Sequence, residues 1–356
     1  MKKQLATVVL SLVMVFSLAA CGNSSSSTTD SSADTETTTD ASAEETDGPE
    51  ITETSLVFMG GSLSGSTTVC TNAVANVVAQ HTGIMTSVTS GSTTTNHQSV
   101  IDGIGDIGAC NVYDPAVAYA ETEEGKVLRT VTYRMQNPLN IYVPVDSDIE
   151  TFRDLMGKRV SLGTETMFTT VEVEMIVEAL GLDFENDFNF VYMDHSTASE
   201  DLVAGKLDAI VILGTNPNSN ITTIDPTFPV RMVGFEDDDI ATVTEALPWL
   251  MECTVEAEFY HMEEAVNTFM YPDPFICRDD LSEGASYAVC DAYISNPEEI
   301  GLVEVHMQEF IEDGSLQYAV ENTSGLPPYH IGAYKYYTEV MGWTVPESMI
   351  PPEAEE

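Results

Sequence analysis

The chain has 356 residues, of which 58 are acidic and 12 are basic, so its net charge at pH 7 is −46. A surface of this sign repels nucleic acid and anionic lipid, and both are excluded as partners of the general surface. Apolar residues make up 43% of the chain, which at this length is enough for the cores of about two domains.

The N-terminus has the features of a secretory signal. Met1-Lys2-Lys3 is followed by an apolar run from Leu5 to Ala20 and then by Cys21. An uncleaved membrane anchor is the alternative interpretation, but the run is short for a membrane span. The stretch Leu18-Ala19-Ala20-Cys21 resembles the bacterial lipobox, which implies cleavage before Cys21 and acylation of its thiol. We therefore predict a signal peptide over residues 1–20 and an extracytoplasmic protein anchored to the cell membrane by lipidated Cys21.

The two ends of the remaining chain are acidic. Residues 22–54 consist mainly of Ser, Thr, Asp, Glu and Ala, so residues 21–54 are predicted to be the lipidated cysteine and a disordered acidic tether. Residues 346–356 are predicted to be an acidic tail. Five widely spaced cysteines remain after Cys21 without any CxxC motif, which excludes a disulfide framework but leaves one disulfide open. These five are Cys70, Cys110, Cys253, Cys277 and Cys290.

The folded part opens with a predicted strand, a glycine turn and a helix. Leu56–Met59 is a short apolar run, glycines follow at once, and apolar residues then recur at helical spacing up to Gly83. Hydroxyl groups in the turn and N–H groups of the first helical turn form a cradle for an anionic or strongly polar group. An ordinary βα turn is the alternative interpretation, and the absence of a Lys after the last glycine excludes a P-loop. The hydroxyl residues of this turn are Ser62, Ser64, Ser66 and Thr67.

The pattern of strand, polar loop and helix recurs along the chain. Met85–Thr89 is a β-type run before a hydroxyl-rich turn, and a small-residue strand ends at Asn111. Arg129–Tyr133 and Leu139–Val143 are predicted to be two separate strands. A second unit resembling the opening one has a strand up to Gly163, a Thr-rich loop and a helix. Alternation of this kind predicts an α/β fold with sites at the C-terminal ends of its strands.

No catalytic motif is present, so we expect a protein that is not an enzyme and that carries no cofactor or metal. None of the six histidines lies in an HExxH motif, and no G-x-S-x-G elbow occurs. Asp237-Asp238-Asp239 lacks the alternating ligands and the glycine of a calcium loop and is predicted to be a solvated loop.

Five stretches, taken in order over nearly the whole folded chain, resemble the TAXI-type solute receptors of tripartite ATP-independent periplasmic (TRAP) transporters. The C-terminal stretch is the most specific of them, and two departures from the family fall at the first glycine turn and in the Thr-rich loop. The five are Gly60-Gly61 with Gly65-Ser66, Ser90-Gly91-Ser92 with Gly103–Ala109, Asp154–Val160 with Gly163, Ala204–Ala209 with Gly214, and Pro328–Tyr337.

The resemblance implies a two-lobed, periplasmic-binding-protein-like fold of type II with a ligand cleft between the lobes. Lobe one is placed at residues 55–138 plus 245–345 and lobe two at residues 139–244. The polar loops would then face one another across the cleft, although each residue taken singly is more simply a cap or turn residue. The predicted ligand-binding residues are Ser62, Ser64, Ser66, Thr67, Ser90, Ser92, Asn111, Tyr113, Thr164, Thr166, Thr169, Thr170 and Asn216.

The function implied by the resemblance is that of a solute-binding lipoprotein. It would capture a small organic acid or amino acid and deliver it to TRAP membrane permease subunits; the alternative is a receptor that presents its ligand to a membrane sensor. Loop N–H groups and hydroxyls can hold one carboxylate, whereas a second would need an arginine. The nearby candidates are Arg134 and Arg159, of which Arg159 is more simply an anchor of the turn before its strand. We therefore expect an amino acid or a monocarboxylate.

Overall fold

The computed structural model describes residues 48–63, 65–165 and 167–355. The predicted signal peptide, Cys21 and most of the tether lie outside the described residues. Ten strands are present: β1 Ser55–Met59, β2 Met85–Thr89, β3 Ile107–Ala109, β4 Leu128–Pro144, β5 Arg159–Ser161, β6 Asn189–Val191, β7 Ala209–Leu213, β8 Val230–Val233, β9 Met251–Val255 and β10 Val266–Arg278.

Helices alternate with these strands. The α-helices are α1 Ser66–Thr82, α2 Asn96–Ile101, α3 Tyr113–Glu121, α4 Phe168–Ala179, α5 His195–Val203, α6 Ser219–Ile224, α7 Asp237–Ala246, α8 Glu283–Ser295, α9 Pro297–Gly301, α10 Val305–Glu312, α11 Ser315–Asn322 and α12 Ile331–Lys335. Short 3-10 helices cover Glu124–Val127, Phe152–Leu155, Glu347–Met349 and Pro352–Glu355, and a π-helical turn covers Tyr336–Val340.

The strands form one sheet, and each of its two halves contains three strands that run parallel to one another. Its order is β2-β1-β3-β10-β4-β7-β5-β6, with β8 beside β4 and β9 beside β10. In one half β1 runs parallel to β2 and β3, and in the other half β5 runs parallel to β6 and β7. The long antiparallel strands β4 and β10 pass between the halves. The predicted mixed α/β, periplasmic-binding-protein-like fold is confirmed.

The prediction of two strands over residues 129–143 is wrong, because β4 is a single strand. β10 pairs with it through the polar stretch in its middle, where Tyr271 lies opposite Asn137 and Met270 opposite Pro138. The register shifts between Pro272 and Pro274, so a bulge absorbs the irregular sequence there. The polar residues and the proline in the middle of β4 suggest a break between two strands. Pairing with the long strand β10 keeps this segment extended.

The C-terminal motif has a packing role. The Nδ1 atom of His330 accepts a hydrogen bond of 3.2 Å from the Gly332 N–H at the start of α12, and its Nε2–H donates to the Leu281 carbonyl at 2.8 Å. A Cβ added to Gly332 would lie 2.1 Å from the Glu283 carbonyl oxygen, so a glycine is needed where α12 crosses α8. His330 therefore makes structural hydrogen bonds that position α12.

The two ends of the described region pack on the fold more closely than the sequence suggests. Glu53, which the prediction assigned to the tether, accepts a hydrogen bond of 2.8 Å from the Ser282 N–H at the start of α8. The predicted tether boundary at residue 54 is therefore too late. Within the predicted acidic tail, Met349 is fully buried and Glu353 pairs with Arg129 at 2.6 Å.

The five described cysteines are all free thiols, so none of the pairings left open by the sequence forms among them. Four are buried and Cys253 is half-buried. Burial raises the pKa of the Cys70 thiol to about 11, which is the behaviour of a small apolar core residue. Across the described ranges, every helix is too short or too polar to cross a membrane.

The buried imidazole of His330 generates a prediction about pH. Burial lowers its pKa below 6.5, so the folded protein holds it neutral while the unfolded chain protonates it more readily. Its contribution to stability is complete above pH 6.5 and is lost as the pH falls through the folded pKa, at up to about 1.4 kcal/mol per pH unit. His330→Asn offers a side-chain oxygen in place of Nδ1 as the acceptor that caps the helix, and it does not titrate. Urea unfolding between pH 7.5 and 5.0 should show a smaller loss of unfolding free energy with falling pH for His330→Asn than for the wild type. An equal pH dependence in the two proteins would contradict a lowered pKa of His330 in the folded state.

Candidate functional site

One buried side chain joins the ends of the first three strands. Asn96 Nδ2 donates to the carbonyls of Met59, Gly60 and Ala109 at 3.2, 2.9 and 2.7 Å, and its Oδ1 accepts from the Ser92 N–H at 3.1 Å. The loops after β1, β2 and β3 are thereby held at one edge of the sheet. Sequence reasoning missed Asn96, although its position at the first residue of a helix after a hydroxyl-rich turn was visible.

The loops after β1, β2 and β3 are also joined by hydrogen bonds between their backbones. The Gly91 N–H donates to the Gly61 carbonyl at 3.0 Å, and the Asn111 N–H donates to the Thr93 carbonyl at 3.1 Å. A Cβ on Gly91 would lie 2.2 Å from Asn96 Oδ1, so only glycine fits this close approach. The predicted loop residues of this half are therefore brought together at one place.

Thr68 closes the first turn, and sequence reasoning missed it as well. Its hydroxyl accepts from the Gly61 N–H at 2.9 Å and donates to the Ser62 carbonyl at 2.7 Å. Helix α1 then starts at Ser66, and its N-cap residue Gly65 provides no side-chain cap. The exposed Ser62 and Ser66 side chains and the half-buried Thr67 surround this helix start.

Several other predicted residues of this half have partners within the protein. Asn111 donates through Nδ2 to Asp114 Oδ2 at 2.7 Å and accepts from the Asp114 N–H at 3.0 Å. The Ser92 and Thr94 hydroxyls lie 2.8 Å apart. Tyr113 packs edge-on against Trp249 with ring centroids 6.0 Å apart. The two Asn111 hydrogen bonds fit the simpler interpretation of Asn111 as a turn residue. Ser90 and Ser92 are exposed.

The predicted residues of the other half lie at the ends of β5 and β7. Thr169 and Thr170 are buried in the first turn of α4, and the Thr170 hydroxyl is 3.4 Å from the Thr164 carbonyl, to which it donates. Asn216 accepts from the Tyr142 hydroxyl at 2.7 Å and donates to Asn140 Oδ1 at 2.7 Å. Ser64 and Thr166 lie outside the described residues.

A buried charged group lies where β4 and β10 cross between the halves. Arg134 on β4 pairs with Asp273 on β10 at 2.7 Å, and their side chains are only 3% and 8% exposed. Asn137 Nδ2 donates to the same carboxylate at 2.8 Å. We call Arg134, Asp273, Asn137 and the neighbouring Glu172 the crossing cluster. Sequence reasoning named only Arg134 of these, because the others become its neighbours only in the folded chain, Asp273 through the pairing of β10 with β4 and Glu172 from helix α4.

The pairing of Arg134 bears on the charge available for a ligand. Ion pairs occupy Arg129, Arg134, Arg153, Lys158, Lys206, Arg231, Arg278 and Lys335. Of the remaining described cations, Lys126 lies over the Tyr119 ring and Arg159 is exposed. A second ligand carboxylate would therefore have to compete with an existing protein carboxylate for Arg134.

A cavity of about 350 Å³ lies beside the crossing strands, lined by Gln136 of β4 and by Asn216. Of the predicted site residues that the structure describes, only Asn216 lines it. Phe259 and Phe310 provide apolar walls. The ionisable side chains around it are Glu256, His306, Glu309 and Asp313. With three acids and neither Lys nor Arg among its described lining residues, this cavity is a poor place for a carboxylate. Among the residues that the structure describes, no cluster of three or more metal-ligating side chains occurs.

The chain matches the family model described as "NMT1-like family" over residues 59–340. It is also similar to the periplasmic sulfonate-binding protein from Methylobacillus flagellatus KT, with 12% identity, coverage of 85% of this chain and 93% of that one, and a TM-score of 0.48. An amino-acid ABC transporter extracellular-binding protein from Bacillus subtilis has 15% identity, 75% and 96% coverage and a TM-score of 0.43. A Streptococcus mutans protein of glutathione import has 13% identity, 85% and 100% coverage and a TM-score of 0.40.

The position of Asn96 leads to a stability prediction. Asn96→Ala removes the donor of three carbonyls and leaves buried polar groups without partners, so it should destabilise the fold by about 2–3 kcal/mol. The matched control is Asn76→Ala, an exposed asparagine on α1, for which a change within about 0.5 kcal/mol is expected. Urea unfolding measures both. Equal small effects would show that Asn96 does not hold the three loops.

Proposed function

Because the chain belongs to the NMT1-like family, and because polar loops gather at the ends of its parallel strands, we propose that it is an extracytoplasmic solute-binding lipoprotein. It captures a small organic acid or amino acid in a cleft between two lobes and delivers it to the membrane permease of a TRAP-type transporter. The observation that carries this proposal is the Asn96 junction, which collects three strand-end loops into one polar surface.

The starts of α1 and α4 support a carboxylate ligand. The N-cap residues Gly65 and Met167 provide no side-chain cap, and neither helix has an acidic residue in its first turn. Such helix starts present N–H groups and the positive end of the helix dipole, which together favour an anionic group. The hydroxyls of Ser66 and Thr169 stand in these first turns and add donors to them.

The charges support a ligand with one carboxylate at most. Arg134 is already paired with Asp273, and the general surface is strongly acidic. A neutral or zwitterionic solute such as a neutral amino acid pays less electrostatic cost on approach than a dianion does. No catalytic step is part of this proposal, because binding and release are sufficient for the function.

The TRAP-type permease partner, the lobe boundaries and the membrane anchor rest on the sequence. They follow from the resemblance of the five stretches and from the lipobox-like residues before Cys21. The protein would be held at the outer face of the cell membrane by its lipid, with the acidic stretch after Cys21 as the tether. A ligand-presenting receptor of a membrane sensor would need the same binding surface.

A ligand screen tests the proposed function. We expect a neutral amino acid or a monocarboxylate to raise the melting temperature of the purified protein, and isothermal titration calorimetry on the hits to give 1:1 binding. Each charge-assisted hydrogen bond from a loop contributes about 1.5–3 kcal/mol, so Thr169→Ala should weaken binding about tenfold or more if its hydroxyl holds the carboxylate. A dicarboxylate that binds more tightly than every neutral amino acid would contradict the ligand class. No binding by any of these solutes would contradict the receptor function.

The anchor has a separate test. If Cys21 is the acylated residue, Cys21→Ser should abolish metabolic labelling with a fatty acid and release the protein to the medium. Replacement of Cys253, which is half-buried in the folded part, is the control and should leave labelling intact. Unchanged labelling of the Cys21→Ser variant would remove the lipoprotein assignment.

A further inference from the structure

Glu172 is a buried acid to which no described residue donates a hydrogen bond. It lies in the second turn of α4 and is 0% exposed, yet among the described residues neither of its carboxyl oxygens has a hydrogen-bond partner. Leaving such a group unsatisfied in a dry interior costs several kcal/mol. Helical side chains lean towards the N-terminus, so the carboxyl group lies towards the uncapped start of α4.

The surroundings of Glu172 are the rest of the crossing cluster. Asp273 is near enough to act on it electrostatically, and both act on the buried Tyr271 hydroxyl, whose ring packs on Phe168 at the start of α4. Arg134 pairs with Asp273, and the Arg134 Nε has no partner among the described residues. Arg134 is thus the one cation in a cluster with two acids, Asp273 and Glu172. If both acids are ionised, the cluster has a net charge of about −1, which one further positive charge would neutralise.

We propose that Glu172 and Asp273 form a subsite for the ammonium group of the ligand, so that the solute is an amine-bearing acid such as a neutral amino acid. This inference rests on the proposed function and specifies its ligand. An ammonium group has three N–H donors, enough for the two Glu172 oxygens and one oxygen of Asp273. The ligand carboxylate would then occupy the helix-start and hydroxyl surface, where donors are plentiful.

A proton accompanies binding in this arrangement. Burial, and secondly the neighbouring Asp273, hold the pKa of Glu172 well above its usual range, so the unliganded protein favours the protonated carboxyl group. An arriving ammonium group stabilises the carboxylate, and the displaced proton leaves to the buffer. The binding of an amine-bearing solute should therefore release up to one proton per molecule bound.

The experiment compares solutes that differ only in the amino group. L-Alanine, L-leucine, L-glutamine and L-phenylalanine are each paired with the acid that lacks the α-amino group: propanoate, 4-methylpentanoate, 5-amino-5-oxopentanoate and 3-phenylpropanoate. In calorimetry on the full chain, the tightest amino acid should bind at least about tenfold more tightly than its partner acid. Repeating the titration in phosphate and in Tris buffer at pH 7 measures the released proton.

Variants localise the effect. Glu172→Gln keeps the size of the side chain but cannot become an anion, so it should weaken binding of the amino acid at least tenfold, abolish proton release and leave the partner acid unaffected. Glu174→Gln, an exposed acid two residues along the same helix, is the matched control and should behave as wild type. If Glu172→Gln does not fold, the proton count and the amine preference of the wild type still decide the inference.

The outcomes separate this inference from the proposed function. Tight binding of a partner acid with no preference for the amine, or amine binding without proton release, would overturn the ammonium subsite and leave the receptor function standing. Stabilisation by sodium chloride beyond that by choline chloride, without any amine preference, would identify a metal-cation site and would also overturn it. Failure of all eight solutes to bind would count against both the subsite and the proposed ligand class.

Discussion

The pairing of β4 with β10 is the constraint on which the rest of this structure depends. These are the strands that pass between the two parallel halves, and they carry Arg134 and Asp273 into contact where the halves meet. A buried ion pair contributes little net stability, but removing one member costs about 3–5 kcal/mol because the other remains uncompensated. The pair therefore disfavours registers of β4 and β10 in which Arg134 and Asp273 do not meet. The observed register in turn sets the positions of the strand ends on either side.

Much of the fold was predictable because it follows from local patterns. The glycine turn after β1, the helix that ends near Gly83 and the buried strand Ala209–Leu213 have clear periodicity and clear terminators. The single strand β4 was not predictable in the same way. Its middle is polar and contains Pro138, and it stays extended because a distant segment, β10, supplies the partner. The N-terminal boundary failed for a related reason, since Glu53 is held by Ser282, more than two hundred residues away.

The candidate site was predictable as a set of loops but not as a set of contacts. Hydroxyl-rich turns after strands were visible in the sequence, and the structure places those of the first half together. Which polar side chain would hold the turns was not visible, because Asn96, Asn111 and Ser92 are all small polar residues in turns. Their different roles arise from backbone carbonyls that only the folded sheet brings near. Glu172 was hidden for a similar reason, because an acid within a helix normally indicates a solvated face.

The Asn96 junction also bears on how a receptor of this kind could change its ligand during evolution. Because one side chain holds the three loop backbones, the exposed side chains of Ser62, Ser90 and Ser92 contribute little to holding the loops together. If these serines contact the ligand, as the proposed function requires, mutations at their positions would alter recognition with small effects on stability. The proposal thus assigns structural and recognition roles to different residues of the same turns, so that ligand specificity could change while the fold is retained.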